Sequence, residues 1–345
     1  MNNRVGKYLL TTIAGLAVVT TLYGACGCGT EKKETRNLFA MDTVMIITAY
    51  GDNATEALDV AEECIKDIEA KVSATIESSE VYALNTTKSI GASEDVYDLI
   101  KDSVEIGEMT DGVFDVSIYP VMKAWGFTTD ENRVPDADEL EGLLSAVDFK
   151  KITFDDATCT ITIPSDMEIE LGGITKGYTS AKVAQVFKEY GISSALINLG
   201  GNIEVLGTKP DGSDWNIGIE DPIDTSDYAL ALTVTDKAVV TSGAYERYFE
   251  EDGVTYHHII DPATGYPSDS GLASVTIVSA DGTLADGLST SLFIMGYDKA
   301  VEFWREHSDV FDVILIDNEK NIYVTEGIAD DISTDTEYTL ITNAP

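Results

Sequence analysis

Two of the three histidines stand side by side, at His257 and His258, in the segment HHIIDPATGYP. Neighbouring side chains on a strand point to opposite faces, so at most one of the two can face a ligand site. A neutral imidazole is well suited to take a proton from a hydroxyl group near pH 7. The pair therefore indicates one candidate general base, although a single histidine is more often structural.

A carboxylate and a hydroxyl stand four residues apart in the segment ADGLST, at Asp286 and Thr290. Positions four apart on a helix lie on the same face. Hard oxygen ligands of this kind suit Mg²⁺, which binds few protein groups and completes its shell with water and substrate phosphates. Taken alone, the pair is more typical of an ordinary helix surface.

Three glycine-bearing segments interrupt the predicted packing pattern with residues that could hold an anion. In ELGGITKGY, which begins at Glu170, two glycines precede a helix start, where backbone N–H groups can face a phosphate. Lys176 lies in the first turn of that helix and can reach the same phosphate. NLGGN, at 198–202, favours a plain hairpin turn. The first three residues of TSGAYERYF, at 241–249, can donate hydrogen bonds to a ligand.

The overall charge constrains any such site. The chain has 345 residues, with 61 acidic and 22 basic side chains and a formal net charge of −39. This field repels nucleic-acid phosphates, so no binding to nucleic acid is expected. An anionic ligand would need a local device, namely a helix N-terminus, a metal ion or a well-placed lysine.

The hydrophobic pattern predicts the elements that position these segments. Helices are expected after Asn53 and after Ser93, and over 174–190, 283–295 and 299–307. Strands are expected within 36–50, around 158–163, and over 195–198, 203–206, 215–219, 229–234, 272–278, 310–316 and 321–324. Because helices and strands mix without regular alternation, the sequence predicts a single α+β domain, with two lobes around a central cleft as the open alternative.

The N-terminal 25 residues are predicted to be a signal peptide of the lipoprotein type. Arg4 and Lys7 precede an apolar run at 9–23, which is short for a membrane-spanning helix. Cys26 or Cys28 would carry the lipid, residues 26–37 would form a tether, and 38–345 would form the folded domain. The protein is therefore expected at the cell membrane, lipid-anchored on the extracytoplasmic face; an uncleaved anchor is the alternative.

Two cysteines remain in the predicted folded domain, Cys64 on a predicted helix and Cys159 in a predicted hairpin. The sequence gives no reason to bring them within disulfide distance. Two buried free thiols are therefore predicted.

The ordered set of motifs resembles the ApbE family, the flavin transferases that move FMN from FAD onto a protein hydroxyl. The motifs are Met41-Asp42-Thr43, DGVFDVSIYP from Asp111, ELGGITKGY, NLGGN, TSGAYERYF, HHIIDPATGYP and ADGLST. Each is weak alone, and together they extend from about residue 38 to 341. The resemblance implies an enzyme that attaches FMN from FAD to a Thr or Ser of an extracytoplasmic flavoprotein, releases AMP and uses Mg²⁺.

The resemblance also implies roles for individual positions. His258 aligns with the catalytic base, and the Gly173 carbonyl, Asp286 and Thr290 correspond to the Mg²⁺ ligands. The positions that match FAD contacts are Met41, Val113, Phe114, Asp115, Glu170, Lys176 and Ile260.

Two positions depart from the family pattern. Glu170 stands where the family commonly has Asp, so the carboxylate is kept on a longer arm. Thr75 stands where an aromatic residue is common, and Tyr82 is the candidate to supply the missing ring.

The acceptors that the family implies are flavin-carrying subunits of membrane electron-transport complexes, such as sodium-pumping NADH:quinone reductase and Rnf-like systems, or extracellular flavoprotein reductases. Two other functions stay open. One is an FAD pyrophosphatase, in which water replaces the protein hydroxyl and FAD yields FMN and AMP. The other is a flavin-binding lipoprotein without catalysis, which would show no metal dependence.

Overall fold

A nine-stranded sheet forms the centre of the computed structural model, which describes residues 32–129 and 131–344. The strands, in chain order, are β1 (Lys33–Ala40), β2 (Thr43–Tyr50), β3 (Ser89–Gly91), β4 (Thr153–Asp155), β5 (Thr160–Thr162), β6 (Ser194–Leu199), β7 (Asn202–Leu206), β8 (Trp215–Glu220), β9 (Tyr228–Val234), β10 (Ala238–Gly243), β11 (Tyr248–Glu251), β12 (Val254–His257), β13 (Leu272–Ser279), β14 (Phe311–Asp317), β15 (Ile322–Thr325), β16 (Ile332–Ser333) and β17 (Tyr338–Ile341). The helices are α1 (Ala54–Val72), α2 (Glu80–Thr87), α3 (Glu94–Met109), α4 (Tyr119–Trp125), α5 (Ala137–Leu144), α6 (Thr175–Glu189) and α7 (Gly282–Glu306).

The central sheet has the order β1-β2-β6-β7-β10-β13-β14-β15-β17. Neighbouring strands are antiparallel except for the parallel pair β15 and β17. Helices α1, α6 and α7 pack on one face, and the three-stranded sheet β16-β9-β8 packs on the other. Strand β13 is buried on both faces. Ile277 packs in the core beneath α7, and its neighbour Val278 packs in the core between the central sheet and the three-stranded sheet. The predicted α+β class and single domain are confirmed.

Helix α7 contains a break that the sequence analysis predicts as a gap between two helices. Gly296 has φ 75° and ψ 173°, which lies outside the helical region and suits glycine. Asp281 caps the start of α7, because its Oδ1 accepts a hydrogen bond from the Leu284 N–H at 3.0 Å. The chain can therefore turn after the stretch that carries Asp286 and Thr290.

An aromatic cluster holds the HHIIDPATGYP segment against α4. The Trp125 ring contacts Phe249 and Tyr256 of the β11–β12 hairpin, with ring centroids 6.3 and 5.2 Å away. Its Nε1 also donates a hydrogen bond to the Gly265 carbonyl at 2.7 Å. Ile260 belongs to the same buried cluster and pairs with Pro267 through an isolated antiparallel bridge.

The structure corrects two predictions. Residues 33–37, assigned to a tether at 26–37, begin β1, whose ladder with β2 extends from Lys33 opposite Tyr50. Both Cys64 and Cys159 are free, but Cys159 is exposed because it lies in the β4–β5 turn at φ 49°, and Cys64 is only half-buried.

The predicted signal peptide and both candidate lipidation cysteines lie outside the described residues. Among the helices that the structure does describe, none is long and apolar enough to cross a membrane.

Candidate functional site

The first turns of α6 and α7 cross in direct contact at two glycines. A Cβ atom at Gly177 would lie 2.1 Å from the Gly282 carbonyl oxygen and 2.7 Å from the Asp286 Cβ, so no larger residue fits there. The Gly177 N–H, which has no partner within its own helix, donates a hydrogen bond to Asp286 Oδ2 at 2.8 Å. The crossing therefore fixes one carboxylate at the N-terminus of α6.

Asp286 is a buried carboxylate, with 4% of its surface exposed. Burial raises the pKa of Asp286, whereas the positive charge of Lys176, the Gly177 N–H and the side-chain amide of Asn202 act in the opposite direction. A charged carboxylate at this depth gains from a bound cation, because burial alone disfavours its charge.

Three hydroxyl groups and a glycine lie beside Asp286. Ser242 Oγ is 2.7 Å from Ser289 Oγ and 3.3 Å from Thr290 Oγ1. A Cβ built on Gly173 would lie 3.9 Å from the same Thr290 oxygen, and 3.2 Å from the Phe114 ring. The structure therefore brings Gly173 and Thr290 together, one helical turn along α7 from Asp286.

The donors near Asp286 fit a hard divalent cation. Among the described residues no group of three or more His, Cys, Asp or Glu side chains has metal-binding geometry. The oxygens offered by Asp286, Thr290 and the Gly173 backbone include only one carboxylate, so phosphate oxygens or water would have to complete the shell. Magnesium is commonly held this way, by one or two carboxylates together with substrate phosphates.

His258 has one ring nitrogen free to accept a proton. Its Nδ1 lies 3.1 Å from the Arg247 carbonyl oxygen, which also accepts the His258 backbone N–H at 3.0 Å. Because a carbonyl can only accept, Nδ1 carries the hydrogen and Nε2 keeps its lone pair. Burial, reinforced by the charges of Arg247 and Lys176, lowers the pKa of His258 to about 3, so the ring is neutral near pH 7.

His257 is used in the opposite way, with both ring nitrogens bonded inside the protein. Its Nε2 donates to the Ser268 carbonyl at 3.0 Å, and its Nδ1 accepts the Ile259 N–H at 3.3 Å. The ring also packs edge-on against Phe293, with centroids 5.5 Å apart. His257 is therefore occupied inside the protein, which agrees with the prediction that at most one histidine of the pair serves the site; the role of His258 as a base stays a prediction.

Lys176 is the positive centre of what we call the charged site, formed by Glu170, Lys176, Glu246, His258 and Asp286. Its charge acts on all four of the others. The Glu170 Oε2 accepts the Gly172 N–H at 2.8 Å, and burial raises the pKa of Glu170. Exposure differs within the charged site: Asp286 is buried, Glu170, Lys176 and His258 are half-buried, and Glu246 is exposed at its edge.

The sequence analysis missed Glu246 and Arg247. Burial among protein atoms, together with Asp286 and Glu220, raises the pKa of Glu246 to about 7, against the opposing charge of Lys176. The Arg247 guanidinium lies 3.7 Å from the exposed Asp42 carboxylate, and its carbonyl holds His258. Two charged residues just after the hydrogen-bonding Thr-Ser-Gly stretch were the available signal.

The residues predicted near the flavin at 113–115 form a turn held by its own side chains. Asp115 Oδ1 accepts the Ser117 N–H at 2.8 Å, and its Oδ2 accepts the Phe149 N–H at 3.2 Å. Val113 is half-buried, and Phe114 is 5% exposed with its ring against Gly173. Because internal donors occupy the Asp115 carboxylate, its role here is to shape the turn; its contact with FAD stays a prediction.

Met41 occupies the β1–β2 turn in a conformation that non-glycine residues rarely adopt. Met41 and Asp42 have φ values of 50° and 59° between the paired residues Ala40 and Thr43, the two-residue turn that usually contains Asn and Gly. The Met41 N–H donates to Glu69 Oε1 at 2.5 Å. Positive φ values at such residues often mark functional positions.

The remaining predicted positions lie around this centre. Met41 packs against the core cluster that contains Phe114, whereas Ile260 lies 5% exposed in the aromatic cluster of Trp125. Tyr82, on α2, and Glu170 both lie close enough to Tyr119 to contribute to the raised pKa of Tyr119. That neighbourhood is compatible with Tyr82 replacing the aromatic missing at Thr75, which stays a prediction.

Comparisons with known proteins identify the family of the chain. Residues 41–315 match the model described as the ApbE family. The FAD:protein FMN transferase of Treponema pallidum is 33% identical over 331 residues, which cover 89% of this chain and 91% of that protein. A protein of the same name from Klebsiella pneumoniae is 35% identical over 238 residues, covering 68% and 73%.

The fold agrees as well. The crystal structure of the ApbE protein from Thermotoga maritima superposes with a TM-score of 0.82 at 33% identity, covering 87% of this chain and 99% of that one. Motif order, site geometry and fold lead to one assignment. The chain belongs to the ApbE family.

Proposed function

We propose that the protein transfers FMN from FAD to a Thr or Ser hydroxyl of another protein and releases AMP. Its relatives in Treponema pallidum and Klebsiella pneumoniae are FAD:protein FMN transferases, which supports the flavin transferase activity. The arrangement of His258, Lys176 and Asp286 is the main structural support for this proposal. A histidine with a free Nε2 shares Lys176 as a neighbour with Asp286, the buried carboxylate suited to a cation.

The proposed step balances as a single displacement at phosphorus. The acceptor oxygen forms a bond to the FMN phosphorus, and the bond from that phosphorus to the bridging oxygen of the diphosphate breaks. AMP leaves with the bridging oxygen, and the proton of the hydroxyl passes to His258 Nε2.

The residues of the charged site would hold the negative diphosphate in an acidic protein. Lys176 supplies a positive charge, and the backbone N–H groups at the start of α6 supply oriented donors. A Mg²⁺ held by Asp286, Thr290 and the Gly173 carbonyl would neutralise charge on the diphosphate. The negative charge of bound FAD would also raise the pKa of His258 and make its Nε2 a stronger base.

The place of action and the acceptor are part of the same proposal. We place the enzyme on the extracytoplasmic face of the cell membrane, anchored by lipid on Cys26 or Cys28. Its acceptor would be a flavin-carrying subunit of a membrane electron-transport complex or an extracellular reductase. The basic residues, apolar run and cysteines of the N-terminal segment support the lipid anchor, and the family resemblance supports the class of acceptor.

Mass spectrometry of a co-expressed acceptor tests the function. The acceptor should gain the mass of FMN less one water, on a Thr or Ser, only when this protein and FAD are present. Release of free FMN and AMP without a modified acceptor would instead identify an FAD pyrophosphatase. FAD that stays intact at every cation concentration would identify a flavin-binding protein without catalysis.

A further inference from the structure

Asn202 is a buried polar residue that the proposed reaction leaves unused. It follows the Gly200–Gly201 turn at the start of β7, and 2% of its surface is exposed. Neither its amide nitrogen nor its amide oxygen has a hydrogen-bond partner within residues 32–129 and 131–344. Burying an amide without partners costs free energy, because its bonds to water are lost and not replaced. The donor and the acceptor of this amide are therefore both buried without a hydrogen bond.

A second buried asparagine shows that the fold can satisfy such a group. Asn85 is 9% exposed, and its Nδ2 donates to the Ile169 carbonyl at 2.8 Å. The Ile169 N–H donates to Asn85 Oδ1, also at 2.8 Å. Asn85 is thus fully paired and structural. The contrast indicates that the hydrogen bonds of Asn202 form only when a bound ligand completes its surroundings.

Asn202 begins the face of β7 that packs against the α6–α7 crossing. Glu204, two residues further along that face, accepts the Ser180 hydroxyl of α6 at 2.7 Å, and a Cβ at Gly282 of α7 would lie 3.0 Å from the same Glu204 oxygen. The Asn202 amide is close enough to act on the Asp286 carboxylate without a formed hydrogen bond. Asp286 Oδ2 accepts the Gly177 N–H at 2.8 Å on its other side. Asn202 therefore lies where it can orient the remaining part of the carboxylate.

We infer that Asn202 is a positioning residue of the cation site, and this inference rests on the proposed function. Its amide NH₂ orients Asp286 toward the divalent cation, and its amide oxygen accepts a hydrogen bond from water bound to that cation. An amide offers a donor and an acceptor at one position. An aspartate there would place a second buried negative charge beside Asp286, and a leucine would offer neither group.

Two matched variants of the full chain test the inference, Asn202→Leu and Asn85→Leu. Leucine has the same branched arrangement of side-chain heavy atoms as asparagine, so both variants remove the amide and keep the branching of the side chain. The FAD-bound proteins are titrated with Mn²⁺, and binding is followed by the electron paramagnetic resonance signal of free Mn²⁺. Thermal unfolding is recorded without ligands, and with FAD at increasing Mg²⁺.

Opposite results are expected for the two variants. Asn202→Leu should unfold at or above the wild-type temperature without ligands, and should need about 10- to 100-fold more cation for half-saturation. Asn85→Leu should unfold at a lower temperature, because the Ile169 N–H and carbonyl lose their partners, and should bind Mn²⁺ like the wild type.

Two results would overturn the inference. One is Mn²⁺ binding by Asn202→Leu at wild-type affinity, and the other is a wild-type protein whose FAD complex binds no cation. Failure of the proposed function gives a different result. In that case the wild type would bind FAD and Mn²⁺, Asn202→Leu would bind Mn²⁺ weakly, and no acceptor would gain FMN.

Discussion

Helix α6 carries two charged regions whose charges are handled in opposite ways. Toward α1 and α3, charges are paired in a network: Asp95 lies 2.8 Å from the Lys71 ammonium and 3.5 Å from that of Lys182, and accepts the Tyr178 hydroxyl at 3.1 Å. At the first turn of the same helix, the charged site gathers Glu170, Glu246 and Asp286 around Lys176. The network is balanced, whereas the site has more negative groups than it can pair.

The pKa values record this difference. Although burial opposes it, the hydrogen bond and charge of Lys71 lower the pKa of Asp95. Burial dominates at Glu170, Glu246 and Asp286 and raises the pKa of each. The network therefore stabilises the folded chain, and the site is held in a state that becomes favourable only with a bound ligand. Local pairing of charges thus distinguishes these two regions of α6.

The largest difference in the rate of FMN transfer is expected between variants of the two adjacent histidines. His258→Ala should keep FAD binding but slow FMN transfer about 10²- to 10⁴-fold, because it removes the proton acceptor. His257→Gln should lower the unfolding temperature and leave transfer near the wild-type rate, since His257 is bonded inside the protein. In-gel flavin fluorescence of the acceptor measures transfer. Transfer at the wild-type rate by His258→Ala would rule out the base.

A glycine substitution tests whether the site depends on the close crossing of α6 and α7. Gly177→Ala should lower the free energy of unfolding by about 3 kcal/mol, because the new methyl group meets the Gly282 carbonyl. It should also displace Asp286 and weaken cation binding. Gly142→Ala is the control, because that helical glycine has open space around it and should stabilise α5 by about 0.5–1 kcal/mol. Urea unfolding compares the two.

Exchanging one aspartate in each region should give stability changes of opposite sign. Asp95→Asn should lower the free energy of unfolding by about 1 kcal/mol at pH 7 and leave transfer unchanged. Since the pKa of Asp95 is lowered in the folded state, this contribution is present at neutral pH and is lost as the pH falls through that pKa. Asp286→Asn should stabilise the protein without ligands and abolish transfer, and added Mg²⁺ should not restore it. Equal destabilisation by both exchanges would contradict the comparison.

Substitution of Glu246 should give the smallest change in stability. Its dependence on pH should be opposite in sign to that of Asp95. The pKa of Glu246 is raised from 4.5 to about 7, so the cost of charging it in the folded state develops as the pH rises between these values and is complete above the higher one. Glu246→Gln should therefore raise the unfolding temperature slightly at pH 8 and leave it unchanged at pH 4. Thermal unfolding across this range checks the sign. A larger gain at pH 4 than at pH 8 would refute the assignment.

The features predicted from the sequence are those set by local pattern. The stripe of Leu58, Ile65 and Ile68 on α1 is buried as its spacing predicts, and the alternation of His257 and His258 correctly limits the site to one of them. The break at Gly296 falls between the two predicted helices. In each case the decisive residues are close in sequence.

The features that escaped prediction depend on contacts between distant segments. Asn202 is buried without hydrogen-bond partners among the described residues because β7 packs against α6. The pKa of Glu246 is raised by surrounding protein atoms and by Asp286 and Glu220, which are distant from it in the sequence. The short helix α4 was missed because it is seven residues long and begins with Pro120 in its first turn, so it shows too few periods for a pattern. Cys159 looked like a core residue by type, and its turn leaves it exposed.

Strand β1 connects the N-terminal segment to the charged site. Under the proposed lipid anchor, it limits the distance between that site and the membrane surface. Its eight residues extend about 27 Å and end at the Met41 turn, beside the charged site. If Cys28 carries the lipid, which is one of the two proposed positions, residues 29–32 connect the anchor to this strand; if Cys26 does, residues 27–32 connect them. The reaction centre would then stay close to the membrane surface. Acceptors would have to present their hydroxyl within a few nanometres of the membrane surface, which favours targets that are membrane-bound themselves.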